Sequence, residues 1–443
     1  MTALVYEETE ARYGTLLRTS GHSKQQQQSY EKWLMLAILS VLSSINQSIC
    51  YSYAPIAAIV EDRWEQRLPS EHLITVFFIS YIPCSFVGSW IMDKYGLRVG
   101  VLLGGFLQAV GASLRYFACS LSVIEEVYVT FLGQTLASLA MAFMVNSPAV
   151  LSANWFPPSM RATSTSVALN ANNMGTAIVY LAAPFIVLSS IDVPDYNLYV
   201  AVAAIVSWVV SVFVFQSSPK FHDGYTGVPN SAAHDEYDWG QWSSAFSHSG
   251  FWQTLVAFSL AECVVNAISA LLGKFLSATR FTNAQVGFVG AAFIISTLIG
   301  GQFISHIVDR KRNHKTAMQV CLLLTAIALA LFRVVPKVKV HATLACLLFL
   351  GVVLGPLQPI VLELGVECAF PTSETTVAAL QQLFGNFFSA LVPGVDHGVN
   401  DDTDTYRVQL LHKRFSHETK IVLPHTSPEQ AVVAASGDET THE

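Results

Sequence analysis

Charged residues are scarce in this chain. They make up 12% of its 443 residues, about half the share that soluble globular proteins carry, whereas hydrophobic residues make up 52%. A soluble core cannot bury so large an apolar fraction, so lipid must solvate much of the surface. The composition therefore predicts an integral membrane protein.

The sequence also lacks the motifs of several other protein classes. None of its seven cysteines forms a CxxC pair, so neither a zinc site nor a disulfide framework is indicated. The sequence shows no Walker loop, nucleophile triad or cluster of metal ligands, and this argues against catalysis and against ATP-driven transport. We therefore expect no catalytic residue, no metal, no cofactor and no nucleic-acid partner.

Apolar runs long enough to cross a bilayer as a helix of about 20 residues recur along the chain. The first run follows a polar stretch of 32 residues and lacks a small-residue cleavage site, so it is predicted to be a membrane span rather than a signal peptide. The predicted fold class is an all-α polytopic membrane protein. The eleven predicted spans are 33–58, 71–92, 98–120, 127–153, 163–189, 197–216, 250–275, 284–307, 316–335, 341–364 and 375–395.

These spans divide the chain into five segments. Lys and Arg are more frequent at the helix ends that a cytoplasmic N-terminus places inside, which favours that orientation. We expect the protein in the plasma membrane or in an endolysosomal or other organellar membrane. The segments are a cytoplasmic tail 1–32, a six-helix half 33–216, a central cytoplasmic loop 217–249, a second half of five helices 250–395 and a polar tail 396–443.

Two short motifs recur in the two halves. SWIMDK at 89–94 and SHIVDR at 305–310 both end apolar runs and lie 216 residues apart. WFPPS at 155–159 and AFPTS at 369–373 lie 214 residues apart. Chance is the alternative, since short strings that pass from apolar to charged residues are common in membrane proteins. Two repeats at nearly one offset favour duplicated halves, a plan known from secondary transporters.

The stretch SWIMDKYGLR at 89–98 resembles the signature loop of the major facilitator superfamily, with Ser89 where the usual pattern has glycine. With LGQT (132–135), ANNMG (171–175) and ELGVECAFPTSE (363–374), the chain resembles the feline leukaemia virus subgroup C receptor-related transporters. The resemblance covers about four-fifths of the chain. It implies a major facilitator fold of two pseudo-symmetric helical halves.

The resemblance implies transport as the function. The related proteins are associated with haem and with choline or ethanolamine. We accordingly expect transport of a small organic solute, a choline- or ethanolamine-like cation or haem, across the lipid bilayer by facilitative or secondary-active alternating access. The alternative is a non-transporting membrane receptor or a degenerate transporter. All thirteen histidines lie in tails, loops or helix ends, so haem ligation from mid-membrane would need Cys or Tyr.

Charged residues of the signature loops are expected to form a gate. Asp93 ends the second span, where its carboxylate can meet the positive end of a neighbouring helix, and Asp309 holds the equivalent place in the second half. Such contacts would form only when the cytoplasmic side is shut, so they would favour one conformation. The alternative is that these charges only mark the membrane edge. The expected gating residues are Ser89, Asp93, Lys94, Arg98, Arg161, Asp309, Arg310, Glu367 and Glu374.

Polar side chains deep in a span are costly and tend to face an aqueous path, although a single amide often only bonds a neighbouring helix. In the family resembled, the first, fifth, seventh and eleventh spans line the central cavity. The family's amide positions fall on Asn173 and Gln382, but its two aromatic positions fall on Cys50 and Asn266. Because aromatic faces hold quaternary ammonium groups, this departure makes choline itself less favoured. The candidate solute-binding residues are Asn46, Cys50, Tyr51, Asn173, Glu262, Asn266 and Gln382.

Glu262 is the one carboxylate placed well inside a predicted span. Its charge is unfavourable there unless it is paired or protonated. Three roles stay open from the sequence: binding a cationic headgroup, accepting a coupling proton, or pairing with Arg115 or Lys274.

The polar stretch after Val395 offers no twelfth span, although its basic residues are typical of a cytoplasmic tail. We expect that a segment of some 20–25 residues is missing there, a length set by the bilayer. A true eleven-helix protein is the alternative. A homodimer or heterodimer is expected in that case, because the second half would expose a packing face to lipid.

Overall fold

The computed structural model describes residues 30–219, 239–277, 281–311, 313–334, 340–370, 372 and 374–395, and within them it contains helices and connecting turns but no strand. Nearly all of the predicted tail 1–32 and all of the tail 396–443 lie outside these residues. The expectation of a missing twelfth span falls on the second of these tails.

Eleven long helical segments follow the predicted spans, with ends displaced by only a few residues. Three of them are interrupted by a turn: the first at 52–56, the fourth at Ala140 and the tenth at 355–356. They are α1 (Tyr30–Arg63), α2 (Ser70–Tyr95), α3 (Leu97–Ala118), α4 (Val123–Trp155), α5 (Pro158–Ile186), α6 (Val193–Val214), α7 (Ser249–Ser277), α8 (Asn283–Lys311), α9 (His314–Val334), α10 (Val340–Leu354 with Leu357–Cys368) and α11 (Glu374–Val395).

Within the described residues, nine of these segments are long and apolar enough to cross a membrane. The other two, α5 and α11, have 29 and 22 residues but are more polar. Each contains three amide side chains, which lower its hydropathy. The all-α membrane fold is confirmed.

The segment predicted to be a central loop is partly helical. A short helix, Trp239–Phe246, precedes α7, and the ring of Phe246 contacts those of Phe251 and Phe384 at 5.9 and 6.1 Å between centroids. These rings belong to a small apolar cluster that joins the short helix to α7 and α11. Residues 220–238 of the same segment lie outside the described residues.

A buried arginine organises the first half. Arg115 on α3 is 1% exposed, and its guanidinium lies 4.3 Å from the centroid of the Tyr53 ring. Its five N–H groups all have acceptors, and all the acceptors are uncharged, so the charge is solvated by dipoles rather than by a carboxylate. The acceptors are Tyr53 Oη (3.2 Å), Ile49 O (3.2 Å), Gln134 Oε1 (2.9 Å), Ser52 Oγ (2.7 Å) and Asn197 Oδ1 (3.4 Å).

The two halves contact each other at one end of the bundle. We call this the distal end, because α1 begins at Tyr30 and reaches it at Arg63; the opposite end is the proximal end. At the distal end Lys274 of α7 donates to Glu71 of α2 at 2.7 Å and lies 3.4 Å from Glu61 of α1. Glu61 in turn accepts hydrogen bonds of 2.8 Å from the backbone and hydroxyl of Ser70, which begins α2. We refer to Lys274, Glu61 and Glu71 as the distal latch.

Glycines allow the halves to approach closely beside this latch. A Cβ at Gly273 would overlap the carbonyl oxygen of Ala54, and a Cβ at Gly287 would overlap that of Tyr180. The Tyr180 hydroxyl also donates to the Ser269 carbonyl across the two halves. The described conformation is therefore closed at its distal end.

Candidate functional site

The structure places Glu262 in the interior of the second half, where it is 7% exposed. Both carboxylate oxygens accept hydrogen bonds from glutamine amides. Gln382 of α11 donates to Oε1, and Gln358 of α10 donates to Oε2 at 3.1 Å. The opposite helix leaves room for this arrangement, since a Cβ at Gly385 would lie only 3.1 Å from the Glu262 carboxyl carbon. The carboxylate is thus held by three helices of one half.

A hydrogen-bond chain connects this region to the first half. Asn266 lies one helical turn after Glu262, so both side chains are on one face of α7. The Tyr51 hydroxyl of α1 donates to Asn266 Oδ1 at 3.0 Å, and Asn266 Nδ2 donates to Ser389 Oγ at 3.0 Å. The cluster formed by Tyr51, Glu262, Asn266, Gln358, Gln382 and Ser389, which we call the central cluster, therefore bridges the two halves.

Four of the seven candidate solute-binding residues meet in this cluster, and three do not. Asn46 is fully buried and donates to the Ala137 carbonyl of α4 at 3.1 Å, a contact within the first half. Cys50 is 2% exposed in the apolar core. Asn173 on α5 is half-buried, and among the described residues no hydrogen bond joins its side chain to the cluster.

Gln358 and Ser389 belong to the cluster although the sequence did not single them out. Ser389 follows Gln382 by seven residues, which is two helical turns on the same face of α11. That spacing was a usable signal. Gln358 is an amide inside the predicted span 341–364, but no sequence signal placed it beside Glu262, because that contact depends on how α10 packs against α7.

The pairing of Glu262 with a cation of the protein, one of the three roles left open, is not what the structure shows. Lys274 lies in the distal latch, 2.6 Å from Glu71. Arg115 donates all its N–H groups to uncharged acceptors in the first half. Among the described residues, no ion pair involves Glu262.

The expected gating residues that are described lie at the proximal end, and the contacts that can be named for Ser89, Lys94, Arg98 and Arg161 are within the first half. Ser89 Oγ accepts a hydrogen bond of 3.2 Å from Asn146, and Lys94 lies over the Trp90 ring at 4.9 Å. Asp93 and Glu367 are exposed. The side chains of Asp309, Arg310 and Glu374 lie outside the described residues.

The two arginines of this set bind helix ends. Arg98 donates to the Val212 carbonyl at 2.7 Å, near the end of α6. Arg161 donates to the carbonyls of Phe156 and Ala153 at 3.3 Å, at the end of α4. Cations at helix C-termini satisfy free carbonyl groups and the helix dipole, which gives both arginines a structural role.

In the part of the chain that the structure describes, no group of three or more His, Cys, Asp or Glu side chains is arranged to hold a metal ion. The polar groups of the central cluster are instead one carboxylate, several amides and two hydroxyls. Such groups bind hydrogen-bond donors and cations.

Comparisons with known proteins agree with this architecture. The family model of the Major Facilitator Superfamily matches residues 33–393. Solute carrier family 49 member A3 of Danio rerio is 28% identical over 369 residues, which are 81% of this chain and 77% of that protein. The choline/ethanolamine transporter FLVCR1 of Mus musculus is 24% identical over 395 residues, which are 82% of this chain and 69% of that protein.

Solved transporter structures share the fold. A bacterial homologue of the human lysosomal transporter Spinster, inward-facing and unoccupied, superimposes with a TM-score of 0.59 at 12% identity, covering 89% of this chain and 87% of that one. The transporter FucP in its outward conformation gives a TM-score of 0.54 at 14% identity, covering 82% and 92%. The helical halves, the repeated loops and these matches lead to one conclusion: the chain belongs to the major facilitator superfamily, and its relatives include the FLVCR-related transporters.

Proposed function

We propose that this protein transports a small organic cation of the ethanolamine or choline type by alternating access, without an enzymatic activity. The observation that supports this most strongly is the central cluster. It presents a buried carboxylate held only by amides, and it reaches both halves through the hydrogen bond between Tyr51 and Asn266. A solute bound there would contact the two bodies that move against each other.

The distal latch and the signature loop would govern the two end states. Closing of the distal end by Lys274 leaves access from the proximal end, which the Lys and Arg distribution assigns to the cytoplasm. In the opposite state the latch must separate, and Asp93 and Asp309 would contact helix N-termini of the other half. The membrane would be the plasma membrane or an endolysosomal or other organellar one.

An uptake experiment tests this function. Cells expressing the protein are given labelled ethanolamine, choline, haem and vitamin-like solutes, and we expect saturable uptake of an amine above background. Gln382→Ala should reduce that uptake at least tenfold, because one carboxylate oxygen loses its amide donor. Gln216→Ala, a change of the same type outside the cluster, serves as control. No uptake of any solute, with the protein confirmed at the membrane, would refute the proposal.

The same assay tests the gate. Asp93→Asn is expected to slow uptake several-fold at unchanged surface expression, since it would weaken the state closed at the proximal end. Unchanged rates would reduce the signature loop to a marker of the membrane edge.

A non-transporting receptor is the second candidate function, and it would use the same cluster for binding alone. Haem is less well supported than an amine, because the central cluster contains no histidine or cysteine among its described side chains. Binding without uptake would favour the receptor.

A further inference from the structure

We propose that the central cluster selects a cation that carries N–H donors, a primary ammonium, over a quaternary ammonium of similar shape. This inference rests on the proposed function and specifies the substrate class of the same site. It is argued from three features: the acceptors around Glu262, the missing counter-ion, and the use of the nearby aromatic rings.

The first feature is an excess of hydrogen-bond acceptors. A carboxylate offers about four lone-pair positions; Gln358 and Gln382 occupy one on each oxygen of Glu262, and the Asn266 amide also donates to this carboxylate, which leaves about one position free. Asn386 lies one turn after Gln382 on α11; its Nδ2 donates to the Gln382 carbonyl at 2.9 Å, while its buried Oδ1 has no hydrogen-bond partner among the described residues. A primary ammonium can donate its N–H groups to the free position on the Glu262 carboxylate and to Asn386 Oδ1. A trimethylammonium group has no N–H and can donate to neither acceptor.

The second feature is the uncompensated charge. No Lys, Arg or His pairs with Glu262 among the described residues, and its hydrogen bonds there come from neutral amides. A buried charge without a partner is costly, so a cationic solute that donates directly to the carboxylate gains the most from this site.

The third feature is that the one aromatic ring among the six described residues of the cluster, that of Tyr51, has no open face. Tyr51 is 1% exposed and its hydroxyl is bound to Asn266. On α11, the ring of Phe384, one turn before Phe388, packs against Phe246 at 6.1 Å between centroids. Quaternary ammonium groups are recognised by open aromatic ring faces, whereas the groups that surround Glu262 in this cluster are amides.

A methylation series tests the inference. Ethanolamine, N-methylethanolamine, N,N-dimethylethanolamine and choline carry the same charge and hydroxyl at pH 7, while their N–H donors fall from three to none. Each competes with labelled ethanolamine for uptake into proteoliposomes that contain the purified full chain. Potency is expected to fall with each methyl group, with choline at least tenfold weaker than ethanolamine.

Two variants complete the experiment. Glu262→Gln should remove the gradient along the series, so that the four amines compete equally weakly. Glu65→Gln, the same change at an exposed position of the distal end, should keep the gradient of the wild type.

The remaining outcomes contradict the inference. Choline competing as well as ethanolamine, or a gradient that persists in Glu262→Gln, would overturn it while leaving the proposed transport function in place. If no amine competes or is taken up, the inference also fails; the transport function then stands only if another solute is taken up by the cells described above.

Discussion

Replacing Arg115 by methionine is expected to lower the apparent melting temperature of the purified protein by about 5–10 °C, a loss of roughly 3–5 kcal/mol for five buried hydrogen bonds at about 1 kcal/mol each. Methionine fills a similar volume but donates nothing, so the Gln134 amide oxygen loses its donor in a buried region, and Asn197 Oδ1 keeps only the donor of the Tyr53 hydroxyl. The Tyr53 ring loses its cation as well. Thermal unfolding in detergent, followed by intrinsic fluorescence, measures the change.

Arg98→Met is the matched control for this prediction. The Arg98 side chain is exposed and donates to the Val212 carbonyl, so its loss should lower the melting temperature by no more than about 1–2 °C. Arg115→Lys should fall between the two, because it keeps the charge but offers three donors instead of five. Equal melting temperatures for Arg115→Met and Arg98→Met would contradict the role assigned to the buried network.

Removal of the latch cation should open the distal end. In Lys274→Met the carboxylates of Glu61 and Glu71, whose side chains are 10% and 8% exposed, stay buried without their cation. Such a loss costs about 3–5 kcal/mol in the closed state, enough to reverse a near-balanced equilibrium. Spin labels at Arg67 and Thr282, on a cysteine-free background, report the distance between the halves at this end. We expect the short distance of the parent protein to be replaced by a longer one.

A rescue variant distinguishes the latch from a general loss of stability. Glu61→Gln and Glu71→Gln, added to Lys274→Met, remove the uncompensated charges and should restore part of the short-distance population. Lys94→Met is the control, since Lys94 lies over the Trp90 ring at the proximal end. A short distance that survives in Lys274→Met would show that packing at the glycines alone holds this end closed.

The helical architecture was predictable from the sequence because each span is a long local run of apolar residues. Hydropathy is a local property of the sequence. The helix ends are local as well, because charged residues such as Asp93 and Arg98 mark where an apolar run stops. The polarity of α5 and α11 was also visible, as were the amides that cause it. These features needed no knowledge of how the helices pack.

The candidate site was only partly predictable. Glu262 and Asn266 could be placed on one face by their spacing, and Gln382 by the resemblance. Gln358 could not, because its contact with Glu262 joins helices that are far apart in sequence. Lys274 was considered as a partner of Glu262, but it lies about three turns closer to the distal end of α7, where it pairs with Glu71 of α2.

The measurement that tests the central claim most directly is counterflow of labelled ethanolamine in proteoliposomes. Vesicles containing the purified protein are loaded with unlabelled ethanolamine and diluted into a trace of the labelled compound. Alternating access predicts a transient accumulation of label well above that of empty vesicles, because internal solute drives the return of the binding site, and Glu262→Gln should reduce it several-fold while leaving measurable uptake. Protein whose melting curve is intact and which binds ethanolamine, yet gives no accumulation of label, would contradict the account and identify a receptor.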